Sequence, residues 1–291
     1  MLLAFLLLIF LSAVQLCCSL SSLSQIERLL LNKRLGDIQL KTRETFGNSF
    51  NLLEKSSNLI LIFSGAGGPD QFTDELETTL NSYLNEKTSV STSLMNLFSK
   101  TAKETTVKTL DWQEFRGSLL TAAYDGEAFG EEVGEILWGE SMEYNSIHCI
   151  GISVGAFAAN ACVSTLSKKR SEKGSRSKQT YLRLTLLDPF TSRGVGGSGY
   201  GDKYFGLEAD YAEQYLNTDD PVPSTNEPLS LCTTYDVTGA QERNDFELPE
   251  NESMHCWPLV YFARYGYKDS AGKILAHEKD GMPSRSSVLV K

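Results

Sequence analysis

Residues 148–163, HCIGISVGAFAANACV, constrain the fold more than any other stretch of the chain. An apolar, strand-like run stops at Gly151. A serine follows two residues later, a second glycine two after that, and then an alanine-rich run that favours a helix. Gly151-Ile152-Ser153-Val154-Gly155 is therefore a G-x-S-x-G sequence at a strand-to-helix junction. Such a turn leaves no room for Cβ atoms beside it and forces the serine into a strained conformation that lifts its hydroxyl clear of the sheet. There the hydroxyl also lies near the positive end of the following helix. A chemically idle turn of small residues would give the same letters. The strand–turn–helix context is what favours a nucleophile.

The flanking sequence supplies the rest of a layered fold. Ser21–Leu35 reads as an amphipathic helix. NLILIFSGAGGPDQF (58–72) is a continuous apolar run that ends in a glycine-rich turn, with a helix expected from Asp70. TVKTLDW (106–112) and SIHCIG (146–151) read as strands, YDGEAFGEEVGEILWG (124–139) as a helix, and LRLTLLDPF (182–190) as a strand stopped by Pro189. Residues 209–220 and 229–239 read as two further strands, and 255–266 as a final helix. Apolar strands that alternate with helices imply a mostly parallel sheet buried on both faces, a three-layer α/β domain.

Size and charge set limits on that domain. The chain has 291 residues, 41% of them hydrophobic, enough for a substantial core. Its formal net charge of −10 argues against nucleic acid as a partner. Leu2–Leu16 is an uncharged apolar run, shorter than the roughly 20 residues of a membrane span. It fits the core of a secretory signal with small residues near Ser19. The expected organisation is a signal peptide or anchor over 1–19, one α/β domain over 20–268 and a polar tail over 269–291. That implies the secretory pathway or the cell exterior, with membrane anchoring or an organelle as the alternative. Without Cys17 and Cys18, four cysteines remain: Cys149, Cys162, Cys232 and Cys256. These are too few for a disulfide framework, and no CxxC pair suggests zinc. Cys149 and Cys162 are expected in the core. No cofactor or metal is expected.

A serine hydroxyl needs a base to take its proton. Only three histidines are available. His148 lies inside the strand before the turn, and His277 falls in a polar tail. His255 follows a polar loop and precedes the last helix, matching the order nucleophile, acid, histidine. For the acid, Asp188 ends the strand after the nucleophile helix, and Asp219 and Asp220 end the next one. Asp188, fixed by Pro189, is the favoured choice and is expected to be the one that orients His255. An oxyanion needs backbone donors. One is the N–H of Val154, and others come from the early glycine turn 64–69, where Gly65 and Ala66 are the candidates. Glu250, Glu252 and Asp188 would favour the imidazolium form of His255.

The order of these landmarks resembles the neutral, pancreatic-type lipase family of α/β-hydrolases. LDW (110–112) is similar to that family's VDW, AFGEEVGEIL (128–137) to its A…VG…L helix, and GISVGA carries the nucleophile turn. LLDPF is similar to LDPA, YAEQYLNTDD to VDVIHTD, and HCWPLVYF resembles the histidine-plus-aromatic helix. The resemblance covers about residues 58–266 and implies Ser153 as nucleophile, Asp188 as acid and His255 as base. It implies hydrolysis of carboxylic esters, lipid acyl esters foremost, through an acyl-enzyme. Two family features have no counterpart in this sequence, the disulfide-bounded lid and the C-terminal β-sandwich. Triglyceride preference therefore does not follow.

Other segments are secondary. SKKRSEKGSRSKQ (167–179) reads as a solvated basic loop that could touch anionic headgroups at a membrane surface. TSRGVGGSGYGDKYFG (191–206) reads as a flap near the site. Its G-x-G-x-x-G (Gly194–Gly199) lacks the strand and helix that a dinucleotide site requires. Asn251-Glu252-Ser253 is a glycosylation acceptor sequence beside His255, expected to stay unmodified in active protein. The alternative function is a catalytically silent scaffold of the same fold that binds a ligand or partner. Thioesterase and acyltransferase chemistry would use the same residues as ester hydrolysis.

Overall fold

A computed structural model of the chain describes residues 25–47, 56–92, 105–113, 115–116, 121–139, 144–173, 180–193, 199–250, 252–268 and 287–289. The expected signal segment, with Cys17 and Cys18, lies outside them, as do His277, Asn251 and most of the tail. Among the described residues no helix is long and apolar enough to cross a membrane.

Among the described residues seven strands form one sheet: β1 (Asn58–Phe63), β2 (Thr105–Leu110), β3 (Ser146–Ile152), β4 (Tyr181–Leu187), β5 (Tyr211–Leu216), β6 (Thr233–Asp236) and β7 (Ser287–Leu289). Their order is β2-β1-β3-β4-β5-β6-β7, and every described pairing is parallel. This is an α/β fold. The helices are α1 (Gln25–Thr42), α2 (Gln71–Thr92), α3 (Ala122–Gly139), α4 (Gly155–Lys173), α5 (Tyr200–Tyr204) and α6 (Trp257–Tyr261).

β1 shows why its sequence is apolar from Leu59 onward. Leu59, Leu61 and Phe63 face one core, with Phe129 and Val133 of α3 and Phe157 and Cys162 of α4. Ile60 and Ile62 face the other, with Phe72, Leu76 and Leu80 of α2 and Trp257 and Val260 of α6. These five side chains are fully buried, each worth about 1.5–3 kcal/mol relative to exposure. With both faces covered, alternation in the sequence disappears.

The chain leaves β1 for β2 on one side and returns past β1 to β3 on the other. Strand order reverses between β1 and β3. A crevice opens at such a reversal, outside the carboxyl ends of the strands. The loops after β1 and β3 are the glycine turn 64–69 and the Ser153 corner.

Several boundaries differ from the sequence reading. α1 runs on to Thr42, burying Ile38. Asp70 precedes α2 and caps it, its Oδ1 accepting from the N–H groups of Phe72 and Thr73 at 3.1 and 2.8 Å. β4 stops at Leu187, because Asp188 turns left-handed (φ 46°) and breaks the ladder. The basic segment expected as a loop is helical up to Lys173. Arg170 there donates to Asp210 (2.6 Å) and to the Thr180 carbonyl (2.7 Å), which holds the last turns of α4 against the amino-terminal ends of β4 and β5. Residues 174–179 lie outside the described residues. The final helix is three short pieces: a 3₁₀ turn (Met254–Cys256), α6 and a π turn (Phe262–Gly266).

Close packing of α3 on α4 depends on Gly130. A Cβ there would come within 2.0 Å of the Ala158 carbonyl oxygen. Gly130→Ala is expected to lower stability by about 3 kcal/mol through this overpacking. The same change at an uncrowded helical site would raise stability. A denaturant melt decides between the two signs, and a higher midpoint would mean that the helices do not meet there.

Candidate active site

The Ser153 corner is built by steric exclusion. A Cβ on Gly151 would lie 2.7 Å from the Ala156 Cα, and one on Gly155 would lie 2.4 Å from the Phe63 carbonyl oxygen. Both obstacles are backbone, so neither can step aside. The first turn of α4 thus packs directly on the end of β1. Ser153 has φ 51°, a strained value for a non-glycine residue. Its N–H donates to the Leu187 carbonyl (3.0 Å), and its carbonyl accepts from Phe190 (3.1 Å). These bonds fasten the strained residue to the end of β4, beside Asp188.

His255 reaches this corner from the 3₁₀ turn. Its Nε2 lies 2.8 Å from the Ser153 Oγ. The turn is held at two points. The His255 N–H donates to the Ser253 hydroxyl (3.3 Å), and the Asn217 side-chain amide donates to the Met254 carbonyl (3.0 Å). The Asn217 backbone N–H donates to Asp188 Oδ1 (3.0 Å), so one residue braces both the acid and the turn that carries the histidine. The sequence reading did not find Asn217.

Two carboxylates, not one, stand behind the imidazole. His255 Nδ1 is 2.8 Å from Asp188 Oδ2 and 2.6 Å from Asp220 Oδ2. The expectation that Asp188 alone orients His255 is thereby corrected, because the loop after β5 folds back and brings the end of a second strand to the same nitrogen. Asp219, its neighbour, turns outward to Arg243 (2.8 Å). Burial pushes the Asp188 carboxyl up to about 7, despite the hydrogen bond and charge of His255. Burial also works against ionisation of Asp220. There it is outweighed by hydrogen bonds from His255, Asp188, the Thr225 hydroxyl and the Val222 N–H, which hold this carboxyl well below the usual carboxylate range. Burial disfavours the charged form of His255, but the hydrogen bonds and charges of Asp188 and Asp220 prevail and raise it to about 9. The carboxylates that raise it are Asp188 and Asp220, in place of the expected Glu250 and Glu252.

The glycine turn after β1 lies over the nucleophile. A Cβ on Gly65 would be 3.4 Å from that of Ser153. Three of the turn's carbonyls are engaged elsewhere. Ser64 accepts from the Trp112 indole (2.9 Å), Gly65 from the Gly68 N–H (3.0 Å) and Ala66 from the Arg116 guanidinium (2.9 Å). Trp112 is buried, and Arg116 also pairs with Asp111 (3.1 Å). The N–H groups of Val154, Gly65 and Ala66 make no hydrogen bond to another described residue. These N–H groups, on the residue after Ser153 and on the turn packed against it, are the kind of donor that stabilises an oxyanion. Arg116, which pins this loop, escaped the sequence reading because it acts from six residues beyond a strand end.

The remaining histidine and the secondary motifs lie apart. His148 is buried, and its Nε2 meets the Thr185 hydroxyl at 2.7 Å. That hydroxyl donates to Glu213 (2.8 Å), which also pairs with Arg183 (2.8 Å). His148 therefore donates from Nε2 and is neutral, and burial and Arg183 lower its pKa well below the ordinary range. The four described cysteines are free, and Cys149, Cys162 and Cys232 are buried. Of the glycine- and tyrosine-rich stretch, 194–198 lie outside the described residues. Gly199 precedes α5, where Tyr200 stacks on Phe157 and hydrogen-bonds Glu127. Among the described residues no strand leads directly into it, as a dinucleotide loop would need.

The ligand atoms of Asp188, Asp220 and His255 lie within 4.8 Å of one another, residue types that can also hold a metal ion. Hydrogen bonding already accounts for both ring nitrogens of His255, one on the carboxylates and one on Ser153. The chain matches no protein-family model and no curated protein, so the meaning of the site rests on its own geometry and on the order of residues that builds it.

Proposed function

We propose that the chain is a serine hydrolase of the α/β-hydrolase type that cleaves carboxylic esters, lipid acyl esters foremost. The observation that carries this reading is the hydrogen-bonded line from Ser153 Oγ to His255 Nε2 (2.8 Å) and from Nδ1 to the carboxylates (2.8 and 2.6 Å). In the proposed reaction Ser153 Oγ attacks the ester carbonyl carbon as His255 Nε2 takes the hydroxyl proton. The carbonyl oxygen becomes an oxyanion facing the N–H groups of Val154 and of the Gly65–Ala66 turn. The intermediate collapses, the C–O bond breaks and His255 gives its proton to the departing alcohol. Water then attacks the acyl-serine, losing a proton to His255, and the same donors serve the second oxyanion. The acid leaves, and Ser153 recovers its proton.

The resemblance to neutral lipases supports the same roles. A fluorophosphonate probe tests the reading, because such probes label only activated serines. Labelling at Ser153, together with turnover of a short- or long-chain ester, is the expected result. No labelling of folded protein would leave a ligand-binding scaffold as the better description.

A further inference from the structure

A hydrolase of this type needs one carboxylate behind its histidine, and here there are two. We infer that Asp188 and Asp220 hold a single proton between them, and that Asp220 is the ionised member against which His255 is oriented. The inference rests on the hydrolase reading for its catalytic meaning, though not for its test.

The geometry forces the sharing. Neutral His255 with its proton on Nδ1 offers one N–H to two carboxyl oxygens, at 2.6 Å (Asp220) and 2.8 Å (Asp188). Both carboxyls are buried, with side chains 0% and 2% exposed. Two like charges that close, out of water, do not both ionise. A proton on one of them turns repulsion into an O–H···O bond.

The other donors decide which group keeps the charge. Asp220 Oδ1 accepts from the Val222 N–H (3.0 Å), and its Oδ2 accepts from the Thr225 hydroxyl (2.7 Å). Asp188 has only the Asn217 N–H on Oδ1 (3.0 Å) besides the shared contact. Each donor favours the charged form, so the charge settles on Asp220 and the proton on Asp188. The upward displacement of Asp188 and the downward one of Asp220 agree. The neighbouring ionisable groups do not disturb this. Asp219 is engaged by Arg243, and the Cys256 thiol, which burial pushes up to about 12, stays neutral.

The sharing has a consequence for catalysis. With both carboxyls ionised, His255 is held as imidazolium until pH passes its own midpoint, near 9. With one shared proton the pair carries a single negative charge, as in a one-acid triad. Asp188 and Asp220 are then positioning residues of unequal weight, in the reverse of the order expected from the sequence.

The test is an NMR titration of the full-length protein, following His255 and the aspartate carboxyls. In the unaltered protein one carboxyl is expected to titrate near pH 7. Near neutral pH Asp188 carries the shared proton, so Asp188→Asn should lower the His255 midpoint by less than Asp220→Asn does. Asp220→Asn should lower that midpoint by about two units. Hydrolysis should follow the same ranking. Asp188→Asn should lose less kcat than Asp220→Asn, which should fall on the order of 10⁴-fold with KM little changed. A larger drop in the His255 midpoint with Asp188→Asn would overturn the inference. So would the absence of any carboxyl titrating above about pH 5.5 in the unaltered protein, a measurement that needs no variant to fold. The titration ranking stands even if no ester is turned over, so failure of the inference and failure of the hydrolase reading are separately visible.

Discussion

Ser153→Ala is expected to leave a folded protein whose ester hydrolysis has fallen by about 10⁶ in kcat, the size of loss when one member of a cooperating triad is removed. The substitution deletes one oxygen and nothing that shapes the corner. Alanine has the same Cβ, so the strain at φ 51° is unchanged. The backbone bonds to Leu187 and Phe190 persist, as do the exclusions around Gly151 and Gly155. Only the hydrogen bond to His255 Nε2 disappears. Melting temperature should therefore hold while turnover collapses. A residue of rate above that in water should survive, because the N–H groups of Val154 and of the 64–69 turn remain. Steady-state kinetics beside a thermal melt check both halves. Turnover within tenfold of the unaltered protein, in a variant that melts normally, would mean that another group attacks the ester.

How much of this was legible from the sequence depended on how local each cause is. The Ser153 corner could be read because its glycines answer to atoms a few residues away, and β1 because a strand buried on both faces has no choice but to be apolar. His255 was reachable by elimination among three histidines. Asp220 was visible only as an alternative. Its approach to His255 depends on the loop after β5 turning back on itself, fixed by the Thr225 hydroxyl and by the Asn226 amide on the Asp220 carbonyl. No periodicity encodes that fold-back. Asn217 and Arg116 donate to backbone carbonyls of distant elements, and Asn217 also gives its own N–H to Asp188; neither type nor spacing marks such partners. The end of α4 was misread for a similar reason. A lysine- and serine-rich segment looks like loop until Asp210, forty residues on, is seen to pair with Arg170.

His255→Ala is the second large effect. It should cost kcat a factor comparable to that of Ser153→Ala, on the order of 10⁶, and the double variant should be no worse than either alone. The reason is that Ser153 and His255 act as a unit: a hydroxyl without its base and a base without its hydroxyl are equally idle. The intact protein should show the same dependence through pH. Only neutral His255 accepts the serine proton, so kcat/KM must fall as pH drops through its midpoint and rise as pH climbs. Burial alone would move that midpoint below 6.5. Asp188 and Asp220, hydrogen-bonded to Nδ1, outweigh it and carry the midpoint up toward about 9. The acid limb of the profile should therefore lie on the alkaline side of an ordinary histidine, and it should move down by about two units in Asp220→Asn. A profile that stays flat down to about pH 5 would remove His255 from the reaction, since no imidazole in contact with an ionised carboxylate can remain unprotonated there.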